Sequence, residues 1–332
     1  MRTYLAGNEY EDIAASWDWN LIPGITVDYG ATELSCSNTK TIGIEDFVGG
    51  ASDGSVGLAV MRYTNPLTQS LHWQKAWFFL PDDIQHVMIS DVSSTSDALV
   101  LSVLDQRLHS GLIFVDGTTY GAADALNTTI TNAQSIWHGQ VGYVIDDSES
   151  VTLSLQVGPK TGNWSAIGTS TQPPYTVDRY AAWLEHQDLS QSVAYTAFPG
   201  TTLGEFQAKV QSSQLAIICN DDQISAVYDS NNKIVMAAFW QPFGGIITFT
   251  PCESWASITI VTDGNVAIIY RVDTGNITVA DPSQTLETVD LLFIVSPDGW
   301  SSPKWGNILG KQVTITLPSG GEAGSSVTQC IW

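Results

Sequence analysis

The sequence predicts an all-β protein, because short apolar and alternating runs recur along most of the chain with turn signals between them. Residues 151–157 alternate between apolar and polar side chains, which is the period of a half-buried strand. The apolar run 98–104 is typical of a strand buried on both faces. Asp263-Gly264 between two such runs indicates a two-residue hairpin. This density of strands and turns favours a large antiparallel sandwich.

The rest of the chain follows the same pattern. Residues 1–30 form a leading segment with a turn at Pro23-Gly24. Turns at 220–222 and 230–232 separate consecutive apolar runs and so predict short strands joined by tight loops. The further predicted strands are residues 215–219, 224–228, 234–239, 257–262, 266–272 and 313–317.

One predicted helix stands out among these strands, over residues 202–211. Thr202 and Glu205 stand three residues apart, which is the spacing of a capping box at a helix N-terminus.

The aromatic, glycine-rich stretch 239–245 is the predicted boundary between two domains. A chain of 332 residues is long enough for two domains, each with an ample core. We therefore predict a large β-sandwich over residues 1–245 and a smaller β-sandwich over residues 246–332.

The charge balance narrows the choice of partners. The chain has 34 acidic and 12 basic residues, for a net charge of -22. Nucleic acids and anionic membrane surfaces need a basic surface, so neither is an expected partner. A polyanionic sugar also fits poorly unless another chain supplies a basic groove. The sequence contains no run of 18 apolar residues, so no membrane span is predicted.

Cysteines and glycosylation sequons give weaker signals about the compartment. Cys36, Cys219, Cys252 and Cys330 lack metal-ligand spacing, and the sequence leaves open whether they form disulfides or buried thiols. Glycosylation sequons occur at Asn127, Asn163 and Asn276. We expect a secreted, extracellular protein.

No motif for nucleophilic or metal-dependent catalysis is present in the sequence. The histidines, which lack a partner at catalytic or metal-ligand spacing, are His72, His86, His109, His138 and His186. Pairs of aspartates occur at 82–83, 146–147 and 221–222. They fit calcium ligands or ordinary turns, and turn chemistry is the simpler interpretation. We expect no cofactor, with calcium as the alternative.

Several motifs match those of one enzyme family and fall in the same order. They are Glu9-Tyr10-Glu11-Asp12-Ile13, Trp17-Asp18-Trp19, Ala51-Ser52-Asp53-Gly54, Lys75-Ala76-Trp77-Phe78-Phe79, Trp137-His138-Gly139 and Ala280-Asp281-Pro282-Ser283-Gln284. Together they resemble the β half of polysaccharide lyases of the hyaluronate, chondroitin AC and xanthan lyase type, polysaccharide lyase family 8. The resemblance implies a galactose-mutarotase-like super-sandwich followed by a smaller C-terminal β-sandwich.

In that family, a helical toroid precedes the β half, and the two cleave uronic-acid polysaccharides by β-elimination. Abstraction of the C5 proton requires a neutralised carboxylate. The resemblance implies that an Asn, a His, a Tyr and an Arg of the helical domain do this, together with a Glu that matches Glu9. Its implied role is to orient the Arg and the Tyr. We expect the helical residues to be on another chain or missing.

The remaining site predictions concern sugar binding. The candidate substrate-binding residues are Tyr10, Asp12, Trp17, Trp19, Trp300 and Trp305. An exposed Trp face stacks well on a sugar ring, although packing under a loop is the commoner fate of Trp. Asp12 stands where relatives can carry Asn.

Two functions remain open. In the first, the chain is a lectin-like carbohydrate-binding protein that is non-catalytic in isolation. In the second, it is the β-domain chain of an active lyase. A structural remnant is a third interpretation. The expected partners are carbohydrate and either a helical lyase domain or a second copy of the chain.

Overall fold

The computed structural model describes residues 5–32, 38, 40–121, 125–146, 149–298 and 309–332. In chain order, the first strands are β1 (Thr26–Asp28), β2 (Val48–Ser52), β3 (Gly57–Thr64), β4 (Leu71–Phe79), β5 (Gln85–Ser94), β6 (Val100–Leu108), β7 (Ile113–Val115), β8 (Thr118–Tyr120), β9 (Leu126–Thr131), β10 (Ser135–His138), β11 (Val141–Asp146), β12 (Val151–Gly162), β13 (Tyr175–His186) and β14 (Val193–Pro199). The helix α1 (Leu203–Ser212) follows. The later strands are β15 (Leu215–Asn220), β16 (Ile224–Asp229), β17 (Ile234–Phe239), β18 (Gly245–Phe249), β19 (Ile258–Thr262), β20 (Ala267–Arg271), β21 (Asn276–Ala280), β22 (Thr288–Val295), β23 (Gly310–Thr316) and β24 (Val327–Cys330).

The first compact unit comprises Met1–Ile42, Thr64–His72 and Val92–Gln211. Its described strands include an antiparallel five-stranded sheet in the order β1-β6-β13-β12-β9. Antiparallel pairs also link β14, β11, β10, β7 and β8 in that order.

The second unit comprises Gly43–Tyr63, Trp73–Asp91 and Ser212–Trp332. Its later strands form a six-stranded sheet, β15-β16-β17-β20-β21-β24, and a four-stranded sheet, β18-β19-β22-β23. Strands of both sheets contribute to one apolar core, in which the ring of Tyr270 on β20 packs at a tilt against Phe293 on β22, with ring centroids 5.1 Å apart. The all-β prediction is therefore confirmed.

Two local predictions have different outcomes. The capping box is confirmed, since Glu205 N–H donates to Thr202 Oγ1 (3.3 Å) and Thr202 N–H donates to the Glu205 carboxylate (2.8 Å). The Asp263-Gly264 hairpin is wrong, because β19 pairs with β18 and β22 whereas β20 pairs with β17 and β21. Asp263 instead accepts the N–H of Asp290 (2.9 Å), so the loop passes from one sheet to the other.

The half-buried interpretation of residues 151–157 is also incomplete. Strand β12 forms as predicted, but its polar residues Thr152 and Ser154 are buried together with the apolar ones. The reason is that Ser154 makes hydrogen bonds to side chains of the strands on either side.

The leading segment is fixed to the five-stranded sheet by hydrogen bonds. Gln106 on β6 donates to the carbonyl of Leu21 (2.7 Å) and accepts the N–H of Asp18 (2.9 Å). Arg179 on β13 donates to the carbonyl of Ser16 (2.9 Å). Among the described residues, no helix has the length and hydropathy needed to cross a membrane.

Candidate carbohydrate site

The leading segment encloses an open cleft of about 630 Å³. The lining residues are Ala6, Gly7, Asn8, Tyr10, Glu11, Ile13, Ala14, Trp17 and Trp19. Three of them, Tyr10, Trp17 and Trp19, are among the residues that the sequence predicts for sugar binding. Glu9 lies in the same loop. The structure thus brings four of the predicted site residues together.

Aromatic rings stack in a series along this cleft. Tyr10 and Trp17 are nearly parallel, with ring centroids 5.7 Å apart and an interplanar angle of 9°. Trp17 and Trp19 follow at 6.0 Å and 29°. Trp17, in the middle of the series, is 7% exposed, whereas Trp19 at its end is 39% exposed and therefore accessible. An accessible indole of this kind offers an apolar face to a ligand.

The Glu9 carboxylate organises the loop that precedes it. It accepts the backbone N–H groups of Leu5 (2.8 Å), Ala6 (2.6 Å) and Gly7 (2.8 Å). Burial acts to raise the pKa of this carboxyl, but the hydrogen bonds from the backbone outweigh burial and lower the pKa. Glu9 is therefore ionised near neutral pH. Its role in orienting an Arg and a Tyr stays a prediction.

A buried ion pair lies next to Tyr10, at one end of the aromatic series. Arg107 Nε lies 2.5 Å from Asp105 Oδ2, and both side chains are at most 2% exposed. The Arg107 guanidinium carbon lies 5.9 Å from the centre of the Tyr10 ring, within the range of a cation–π contact. Burial raises the pKa of Asp105 against the opposing effect of Arg107. Sequence reasoning missed this pair, although two opposite charges at i and i+2 directly after the apolar run 98–104 were its visible signal.

Asp12, another predicted binding residue, is not among the residues that line the cleft. Asp12 is exposed and has a left-handed backbone conformation with φ 54°, as in a turn. Trp300 and Trp305 lie outside the described residues.

The predicted glycosylation positions lie on strands and turns. Asn127 is exposed on β9, Asn163 is exposed and accepts the N–H of Ser165 (3.0 Å), and Asn276 is partly exposed at the start of β21. Their glycosylation, like secretion, stays a prediction.

The cysteines and aspartates show no sign of a metal centre in the part of the chain that is described. Cys219, Cys252 and Cys330 are free thiols, and Cys36 lies outside the described residues. Asp221 accepts the N–H groups of Gln223 and Ile224 (both 2.8 Å), as a turn aspartate does. Among the described residues, no group of three or more His, Cys, Asp or Glu side chains could hold a metal ion.

Family models match both parts of the chain. The super-sandwich domain of polysaccharide lyase family 8 matches residues 1–210. The C-terminal β-sandwich domain of the same family matches residues 216–290. The domain boundary predicted near residue 245 stays a prediction.

Individual relatives agree with these models. Chondroitinase-AC of Pedobacter heparinus is 29% identical over 296 residues, which is 86% of this chain and 40% of that enzyme. A structure of chondroitinase AC lyase from a study of its oligosaccharide complexes superposes with a TM-score of 0.82 and 26% identity, over 98% of this chain and 46% of that one. A Paenibacillus xanthan lyase shares the fold, with a TM-score of 0.78 at 17% identity, over 97% of this chain and 31% of that one.

The chain thus spans less than half the length of each of these relatives. Because the super-sandwich model alone matches well over half of the chain, the resemblance seen in the motifs is confirmed. The chain belongs to polysaccharide lyase family 8, and it carries the super-sandwich and C-terminal β-sandwich domains of that family.

Proposed function

We propose that this chain is a lectin-like protein that binds carbohydrate in the cleft of the leading segment and, in isolation, does not cleave it. The observation that carries the proposal is the stacked series Tyr10–Trp17–Trp19, which ends in an accessible indole. Pockets for ligands combine an apolar surface with a few polar groups, and this cleft has aromatic rings together with the polar side chains of Asn8 and Glu11. The net charge of -22 favours a neutral or amino sugar over a polyanion.

The test is a calorimetric titration of wild type and Trp19→Ala with neutral and amino-sugar oligosaccharides. Loss of a stacking aromatic removes about 1–2 kcal/mol of interaction, so we expect affinity to fall about tenfold. Phe243→Ala is the matched control, because Phe243 is an exposed aromatic ring (70%) in the second unit. Equal affinities of Trp19→Ala and wild type would refute binding in this cleft.

A second candidate function is that of the β-domain chain of an active lyase that acts by β-elimination together with a helical domain. The observation in its favour is that three backbone N–H groups fix the Glu9 carboxylate and lower its pKa. An ionised, fixed carboxylate is suited to orienting a cationic Arg and a Tyr hydroxyl on a facing domain.

The pair Glu9→Gln and Glu253→Gln tests this second function in an assembly with a family helical domain, since Glu253 is an exposed acid of the second unit. Turnover is followed by the ultraviolet absorbance of the unsaturated product. We expect Glu9→Gln to lower kcat about 100-fold, since misplaced catalytic groups cost this much, whereas Glu253→Gln changes it little. An unchanged kcat in Glu9→Gln would rule out the orienting role.

A further inference from the structure

A second polar and aromatic surface lies on one face of the five-stranded sheet. Trp183 on β13 pairs across the strands with Ser154 on β12, and Ser154 pairs with Thr129 on β9. Directly paired residues point to the same face of a sheet, and so does a residue two positions along a strand. Glu185 therefore joins these three side chains on one face.

Hydrogen bonds converge on one oxygen of Glu185. The Trp183 indole N–H donates to Glu185 Oε1 (3.2 Å), and the Ser154 hydroxyl donates to the same oxygen (2.6 Å). Because the Ser154 hydroxyl uses its only proton in the hydrogen bond to Glu185, the Thr129 hydroxyl is the donor in its hydrogen bond with Ser154 (3.1 Å). Thr129 Oγ1 thus keeps acceptor capacity, and Glu185 Oε2 accepts no hydrogen bond from any described residue.

The Trp183 ring is held in place and remains partly accessible. It packs against the buried cluster of Leu21, Leu101 and Val103, and its N–H bond to Glu185 restricts rotation of the ring. Strand β9 is an edge of the sheet, and Thr129 is exposed on it. A ligand can therefore reach a preorganised indole, a carboxylate oxygen and a hydroxyl along one cross-strand row.

We propose that Trp183, Glu185, Ser154 and Thr129 form a second carbohydrate site, which takes a neutral sugar with adjacent hydroxyl groups. The C–H face of the sugar packs on the indole, one hydroxyl donates to Glu185 Oε2 in a charge-assisted hydrogen bond, and a neighbouring hydroxyl donates to Thr129. The Glu185 carboxylate would repel a uronic acid. This inference goes beyond the cleft, since it rests on side chains that the cleft does not use.

The experiment titrates the Trp19→Ala chain, in which the cleft is weakened, by calorimetry. The probes are β-1,4-linked hexasaccharides of glucose, mannose and N-acetylglucosamine, with a chondroitin hexasaccharide as the acidic comparison. The chain is produced in a host that does not attach N-glycans, because Asn127 lies on the same strand as Thr129. We expect one neutral probe to bind with one site per chain and the chondroitin probe to show no binding at this site.

Two further variants are then compared in the Trp19→Ala background. Glu185→Gln is expected to lower the affinity for the neutral probe about tenfold or more, because hydrogen bonds to charged groups are among the strongest. Thr129→Val, on the exposed edge strand, is expected to lower this affinity severalfold. Glu149→Gln changes an exposed acid and is the matched control, for which we expect unchanged affinity. Equal melting temperatures verify that the variants fold.

The outcomes separate this site from the cleft. A neutral probe that binds Trp19→Ala and is weakened by Glu185→Gln supports the second site, whether or not the cleft binds sugar. Unchanged affinity in Glu185→Gln, or no binding of any neutral probe to Trp19→Ala, overturns it. In the latter case, binding by wild type alone would assign all sugar binding to the cleft.

Discussion

Arg107→Met is expected to lower the free energy of unfolding by about 3–5 kcal/mol, because it leaves the Asp105 carboxylate buried without its partner. Both side chains are at most 2% exposed, and the two are 2.5 Å apart. The variant also removes the cation that contacts the Tyr10 ring, so Tyr10, Trp17 and Trp19 should be held less firmly and sugar affinity should fall. Denaturant unfolding measures the first effect, and calorimetry with a sugar ligand measures the second.

Two controls separate the ion pair from a general loss of packing. The double variant Asp105→Leu/Arg107→Met removes both charges and should recover most of the lost stability, since apolar replacement of a buried pair is often neutral. Arg271→Met breaks the pair with Asp53, in which the arginine is 27% exposed, and should have a smaller effect. Equal stability of Arg107→Met and wild type would show that the buried pair does not hold this region together.

Lys75→Met is expected to raise the free energy of unfolding at neutral pH. Lys75 on β4 is 0% exposed, and burial lowers the pKa of its ammonium group from 10.5 to about 7. This pKa shift sets an upper limit of about 5 kcal/mol on the cost of burying the charged ammonium group. The centres of the Trp73 and Trp77 rings lie 5.1 and 5.7 Å from Nζ. These rings attract the ammonium, and the variant gives up this attraction, which reduces the expected gain in stability. We therefore expect a gain of about 1–3 kcal/mol.

The pH dependence of this gain has a definite sign. Between pH 7 and 10.5 the unfolded chain holds the Lys75 proton and the folded chain does not, so the stability of wild type rises with pH across this range. The advantage of Lys75→Met should accordingly be largest at pH 7 or below and shrink toward pH 10.5. Lys233→Met, at an exposed position, is the control and should show no such trend. An advantage independent of pH would show that packing, and not charge burial, is responsible.

Sequence patterns anticipated the strands and the cap of α1 because these depend on near neighbours. The capping box needs only Thr202 and Glu205, and both hydrogen bonds form. The error at Asp263-Gly264 has the opposite origin. A short turn between two apolar runs fits a hairpin locally, but the two strands pair within different sheets, and both bury their apolar sides in the same core.

In the candidate site, too, contacts between residues close in sequence could be predicted, whereas contacts between distant residues could not. Glu9, Tyr10, Trp17 and Trp19 are close in sequence and in a family motif, so their proximity could be predicted. The contact between Tyr10 and Arg107, about a hundred residues apart, requires knowing which strand the leading segment covers. The exposure of Trp183 depends on the same packing, because Leu21 of that segment belongs to the cluster beneath the indole.

The most direct test of carbohydrate binding in the cleft is a titration followed by the indole N–H resonances of the 12 tryptophans. Substitutions to phenylalanine assign Trp17 and Trp19, and the neutral hexasaccharides serve as ligands. We predict that the Trp19 resonance shifts in a saturable manner and that the Trp17 resonance, in the ring stacked on Trp19, shifts with it. If both resonances stay unchanged while a sugar binds elsewhere, or if no sugar binds, the proposed function of the cleft is contradicted.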